Sequence, residues 1–357
     1  MEIPDIRNDR LSADKITYKR RYMISVYSAV HFMVDFACAF LLFRHMAGMA
    51  DWYLYILLYN FFAFAGQMPL GVIADKLNKN YLFAAAGCVL LALSYGLWSL
   101  PAAAVVLLGT GNALFHIGGG IDILNISGKK SAALGIFVSP GAFGVYFGTL
   151  CGKANSMPFM LVPALLLVAA LVIIFIRRMQ GGEYPDNAKF SLKSAVPHKA
   201  LVIAACLFWV VCLRSYLGLS FNFAWKTVGF WGVAAVCAVA FGKAAGGFLA
   251  DKFGMLKTAA ASLGLAALLY LFSLAPLPGV AAAFMFNMTM PITLWLMAKI
   301  FPGAKGFSFG LLTFGLFLGF LPAYLGLEPP PGAAWFFALG ALVSLVLLLF
   351  GLRKAKI

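Results

Sequence analysis

His31 and Asp35, four residues apart in "HFMVDF", carry the clearest chemistry in the chain. Side chains at i and i+4 stand on one helical face, so an imidazole and a carboxylate sit side by side in an otherwise apolar run. Such a pair can take up and release a proton near neutral pH. Arg214 in "CLRSYLG" lies 179 positions after Asp35 and is likewise enclosed by apolar residues. It reads either as a partner of Asp35, as an anion clamp on a shared substrate, or as half of a fixed structural ion pair. A third cluster, "GNALFHIGGG", brings Asn112, Phe115 and His116 together with four glycines. Lys243 in "FGKAAGG" either lines the same route or extends its charged head towards water. Asn60, Gln67, Asn222 and Asn287 either join helices or line a path.

The elements that must position these residues are membrane helices. The chain is 63% hydrophobic and 11% charged, with a mean hydropathy of +0.94. A soluble domain has roughly 25% charged residues. Twelve apolar runs are expected to span, at 22–43, 52–74, 81–100, 102–126, 131–151, 157–177, 200–221, 228–250, 256–275, 278–300, 305–326 and 332–352. Runs such as "LVPALLLVAALVIIFI" are apolar on every face, which excludes the alternating pattern of a β-barrel. The net charge of +15 follows topology: 22 of the 27 Lys and Arg fall on one set of loops and tails, and three (Arg44, Lys153, Lys226) on the other. By the positive-inside rule both termini are expected in the cytoplasm, in an inner or plasma membrane. A nucleic-acid role is not expected, and the six scattered cysteines read as apolar packers. Ionisable groups at membrane depth are costly, so Asp35, His31, His116, Arg214 and Lys243 are candidates for function.

A polar stretch at 178–199 divides the chain into two bundles, 22–177 and 200–352, with tails at 1–21 and 353–357. The halves share a loop: Gly71, Asp75 and Lys76 after the second run, and Gly247, Asp251 and Lys252 after the eighth. Glycine allows a neighbouring helix to approach, whereas an aspartate at a helix C-terminus opposes the macrodipole and requires a compensating partner. A latch whose partner changes with conformation has these properties. On this repeated Gly-x-x-x-Asp-basic loop, the twelve runs and the six-plus-six division, the chain resembles the major facilitator superfamily. That resemblance implies an all-α integral membrane fold of two pseudo-symmetric six-helix bundles working by alternating access.

"HFMVD", "GTGNALFHIGGG", "SGKKSAALGIFVSPGAFG" and "KIFPGAKGFSFGLLTFG" are together similar to the fosmidomycin-resistance family of drug exporters, although Ile117 stands where that family has proline. The resemblance implies proton-coupled export of a small organic or amphipathic compound. Asp35 and His31 would carry the coupling, and Arg214, His116, Phe115, Asn112, Asn222 and Lys243 would contact substrate. Proton-coupled uptake of a small organic anion is the alternative. An enzyme is not expected, because His116 and Asp122 fall on different helical faces and no nucleophile, zinc or phosphate-loop motif accompanies them. No cofactor is expected; the partners are substrate, protons and lipid, with the monomer as the working unit.

Overall fold

The computed structural model describes residues 6–180 and 187–355, with side chains from Tyr18 onward. The first five residues of the expected N-terminal tail, residues 181–186 of the expected linker and the last two residues of the C-terminal tail lie outside the described residues. Every regular element among the described residues is helical. Ten helices are long and apolar enough to cross a membrane: α1 (Tyr18–Met46), α2 (Trp52–Leu77), α4 (Pro101–Ser127), α5 (Ala132–Ala154), α6 (Leu161–Gln180), α7 (Ala200–Leu219), α8 (Trp231–Phe253), α10 (Pro276–Ile300), α11 (Lys305–Tyr324) and α12 (Ala334–Ala355). Two shorter apolar helices, α3 (Asn80–Gly96) and α9 (Met255–Tyr270), complete the twelve. They are the third helix of each half, and at 17 and 16 residues each rises roughly 25 Å, close to the ~30 Å of a hydrocarbon core. The twelve apolar runs and the twelve helices correspond, with ends displaced by a few residues.

Packing repeats between the halves. In the first, α1 packs on α5, α3 on α4 and α3 on α6; in the second, α7 packs on α11, α9 on α10 and α9 on α12. The halves meet where α2 packs on α11 and α5 on α8, again an exchange of equivalent elements. Close approach needs small residues at these contacts. At Gly71 any Cβ would collide with the backbone of Gly306, so α2 and α11 touch main chain to main chain.

Three helices lose their regular geometry at mid-depth. α2 widens into a π turn over Phe61–Ala65 ahead of Gly66. α5 breaks at Ser139, where Pro140 has no backbone donor to continue the ladder. α10 is divided between Asn287 and Met290, just before Pro291. Irregular backbone at membrane depth survives where it is buried in protein or lines a cavity. All three breaks flank one cavity.

Candidate substrate and coupling site

The cavity lies between the two halves, with a volume of about 190 Å³. Its polar wall from the first half is His31 and Asp35 of α1, Gln67 of α2 and His116 of α4; from the second come Arg214 of α7, Lys243 of α8 and Thr313 of α11. The rest is apolar, including Phe64, Val211, Leu294 and Phe309. Asp35 is the only carboxylate among the lining residues. Four helices of each half therefore converge on a space that neither half encloses alone.

On the α1 side, His31 Nε2 lies 3.2 Å from Asp35 Oδ2, as the i, i+4 spacing requires. α4 adds His116, whose Nε2 is 2.9 Å from His31 Nε2 and 3.8 Å from Asp35 Oδ1. Asn112, one turn earlier on α4, donates from Nδ2 to Asp35 Oδ1 at 3.2 Å and to Cys38 Sγ at 3.4 Å. Both rings are anchored on their far side: His31 Nδ1 is 2.6 Å from Phe137 O and His116 Nδ1 is 2.9 Å from Asn112 O. The Phe137 carbonyl is available because α5 breaks two residues later. Gly141 covers the cluster from α5, where a Cβ would strike Asp35 Oδ2 and His31 Nε2. The ligand atoms of His31, Asp35 and His116 all lie within 4.8 Å of one another. By donor type they would suit a metal, but a single carboxylate and two cationic side chains in the same cavity oppose a divalent ion electrostatically.

Arg214 and Lys243 enter from the other half. Arg214 donates to Thr293 Oγ1 at 3.5 Å, and Lys243 to Val138 O at 3.4 Å. Among the described residues neither lies within 4.0 Å of a carboxylate. Asp35 and Arg214 thus share the cavity without forming an ion pair; the side chains within 4.0 Å of the Asp35 carboxylate in ion-pair or hydrogen-bond contact, His31, His116 and Asn112, are in its own half. Lys243 faces the cavity rather than extending towards water.

Other expected contacts fall elsewhere. Phe115 is fully buried behind the cluster, its ring 6.1 Å from that of His31 and 6.4 Å from that of Phe137, so it supports the imidazole and does not line the cavity. Asn112 also sits behind the wall, where it positions Asp35. Asn222 is exposed in the loop after α7 and takes no part. Asp122 is held by Tyr27 and Asn80 at 2.7 and 2.8 Å, away from His116. Gln67 is the residue that sequence reasoning ranked too low: it is fully buried, lines the cavity, and leaves its Oε1 without a hydrogen-bond partner. A polar side chain directly after Gly66 in an otherwise apolar run was the available signal.

The repeated loops lie at the end of the molecule that carries the basic loops. Asp75 Oδ1 and Oδ2 accept from the backbone N–H groups of Gly306 and Phe307, at 2.8 and 2.9 Å, in the first turn of α11. Asp251 does the same for α5, accepting from Ser131 N at 2.6 Å and Ala132 N at 3.0 Å. Each aspartate that opposes its own helix dipole thus meets the favourable N-terminus of a helix in the other half. Lys76 and Lys252 are exposed, their ammonium groups over Phe190 and Phe253. Lys305 donates to Asn125 Oδ1 at 2.7 Å and Trp295 to Gly128 O at 3.3 Å, adding to the closure. At the opposite end, one hydrogen bond among the described residues joins the halves, Tyr324 OH to Tyr53 O at 3.0 Å. The cavity is therefore sealed at the basic end.

These features define a major facilitator fold in a multi-pass membrane protein. No protein-family model matches the sequence, and no curated protein sequence matches it either. Among solved structures the chain is similar to the E. coli fucose:proton symporter, with a TM-score of 0.70 at 14% identity, covering 92% of this chain and 98% of that one. It is also similar to a human organic anion transporter (TM-score 0.66, 15% identity, 92% and 99% covered). A third similar structure is a bacterial homologue of the iron transporter ferroportin in an outward-facing state (TM-score 0.61, 13% identity, 94% and 98% covered).

Proposed function

We propose that the chain is a secondary active transporter, working by alternating access as a monomer, that carries a small organic anion together with a proton. The observation that carries this reading is the presence of two cationic side chains, Arg214 and Lys243, in a central cavity whose one lining carboxylate, Asp35, lies beyond 4.0 Å of both and is engaged by His31, His116 and Asn112. A charge at membrane depth needs a partner, and a carboxylate, phosphonate or similar group on the substrate supplies it. The unpartnered Gln67 Oε1 suits a hydroxyl or N–H donor on the same molecule. Facing them, the His31–Asp35–His116 cluster is the coupling site.

Charge decides the sense of coupling. An anion entering the cavity favours an added proton on the adjacent cluster, and by linkage the proton favours the anion equally. Cooperative binding of two solutes in one cavity is symport, whereas antiport requires that they compete. The fold is shared with a fucose:proton symporter and an organic anion transporter, which supports this choice over drug/proton antiport. With the basic end in the cytoplasm, the sealed latches correspond to a cavity facing outward.

The test is proton movement in proteoliposomes loaded with a pH-sensitive dye. Small hydroxycarboxylates, phosphonates and amphipathic cationic drugs are added outside to the wild type and to Arg214→Gln. An anion that acidifies the lumen in wild type, and at least tenfold more slowly in Arg214→Gln, is the expected result. Alkalinisation of the lumen by a drug would replace symport with antiport.

A further inference from the structure

We infer that the coupling proton is held between the two imidazoles of His31 and His116, with Asp35 remaining ionised as their counter-ion. This rests on the proton-coupled reading above and changes which atoms carry the charge, since the i, i+4 pair alone points to the carboxylate. Both rings have their Nδ1 against a backbone carbonyl, Phe137 O at 2.6 Å and Asn112 O at 2.9 Å. A carbonyl oxygen only accepts, so each Nδ1 must carry its hydrogen. In the neutral form both Nε2 atoms are then lone pairs. Yet they face each other at 2.9 Å, which is hydrogen-bond distance. Two lone pairs beside a carboxylate repel; one added proton turns the contact into an N–H···N bond and gives Asp35 Oδ2, 3.2 Å from His31 Nε2, a cation to face.

The surroundings agree with an ionised Asp35. Asn112 presents an amide N–H to its Oδ1, a contact that favours an acceptor-only carboxylate. Other titratable or charged groups near the cluster are Cys38 on α1, Tyr59 of α2 beside Cys38, Lys243 from α8 and Arg214 from α7. α5 offers only the Phe137 carbonyl and Gly141. A divalent metal on the same atoms would add a second charge facing Lys243 and Arg214, with one carboxylate to offset it. A single shared proton is the smallest charge that removes the lone-pair conflict. Its loss must separate the two rings, and because they belong to α1 and α4 the separation changes the cavity wall itself.

The experiment is performed on the purified protein in lipid nanodiscs and needs no transport. Histidine labelled with nitrogen-15 is followed by magnetic resonance through an acid titration, alongside infrared difference spectra of the carboxyl region. The expected result is uptake of one proton by the His31–His116 pair, appearing as two mutually coupled ring nitrogens, with no protonated-carboxyl band at that step. The coupled signal should vanish in His116→Gln and persist in His198→Gln. A protonated-carboxyl band that disappears in Asp35→Asn would overturn the inference, as would a stoichiometric metal ion in wild type that is lost in His116→Ala. If lumen acidification by an anion is observed while the nitrogen signal is absent, the symport reading stands and this placement of the proton falls.

Discussion

Gly141 shows how much one residue decides at this site. Its missing side chain lets the α5 backbone press against Asp35 and His31, and any Cβ would meet both. Gly141→Ala is expected to displace the cluster at a cost of about 1–3 kcal/mol, the usual range for overpacking, and to lower coupled transport at least tenfold. Gly264→Ala, where nothing lies within 4 Å, should leave transport unchanged, and parallel flux assays of the two variants check the contrast. The sequence made His31 and Asp35 legible, because helical spacing fixes which side chains share a face. It could not supply the His31–His116 contact, which joins residues 85 positions apart. Nor could it separate Phe115, which supports from behind, from His116, its neighbour in sequence, which faces the cavity; the rotation of α4 in the bundle decides that. Arg214 and Asp35 were placed in one cavity by the repeat, but whether they touch depends on how the halves are docked.

The element with the most to explain is α5. Pro140 interrupts a membrane helix, which removes one intrahelical hydrogen bond and costs roughly 3 kcal/mol in a helix interior. The missing N–H is the one that would reach Ile136 O, and the break between Val138 and Pro140 also leaves Phe137 O, the i−4 acceptor for Gly141 in a continuous helix, to anchor His31. Pro140→Ala should therefore raise the melting temperature in detergent while it reduces coupled transport, because a continuous α5 withdraws the carbonyl from His31. A thermal-shift measurement beside the flux assay checks both directions; unchanged coupling in a stabilised variant would separate the break from the proton site. The run "GIFVSPGAFG" announced an irregular helix, but Gly and Pro are frequent in membrane helices. Its purpose appears only when α1 is packed against it. The π turn of α2 has the same character: Phe64 within the widened turn and Gln67 two residues beyond it reach the cavity, and no local pattern marks the turn.

At the scale of the whole molecule, the two halves are held at the basic end by a symmetric exchange. Asp75 caps α11 and Asp251 caps α5. Charge-assisted hydrogen bonds of this type contribute about 1.5–3 kcal/mol each. Asp75→Asn with Asp251→Asn should shift the population towards the state open at the basic end by tenfold or more, read as faster thiol labelling of a cysteine introduced at Thr313 from that side. A second test uses Asn125 and Lys305, joined across the halves. Cysteines at both positions, in a background without the six native ones, are linked by a short bifunctional thiol reagent; transport should stop, and return on cleavage of a reducible linker. The segment after residue 186 also spans the closure, since Asn187 bonds to Asn78, Asn80 and Asn125, while Ser191 and Ala195 bond to Gly303 and Ile300. By itself the sequence determined the number of helices, the division into halves and the repeated Gly-x-x-x-Asp-basic loop, because hydropathy, helical period and repetition are properties of local stretches read along the chain. The tertiary structure alone decided that Asp75 and Asp251 each meet the other half's helix N-terminus, that two histidines share one contact, and that Arg214 and Lys243 share the cavity with Asp35 without pairing to it. Those facts depend on distances between residues far apart in the chain, which packing of the two bundles fixes and no local pattern encodes.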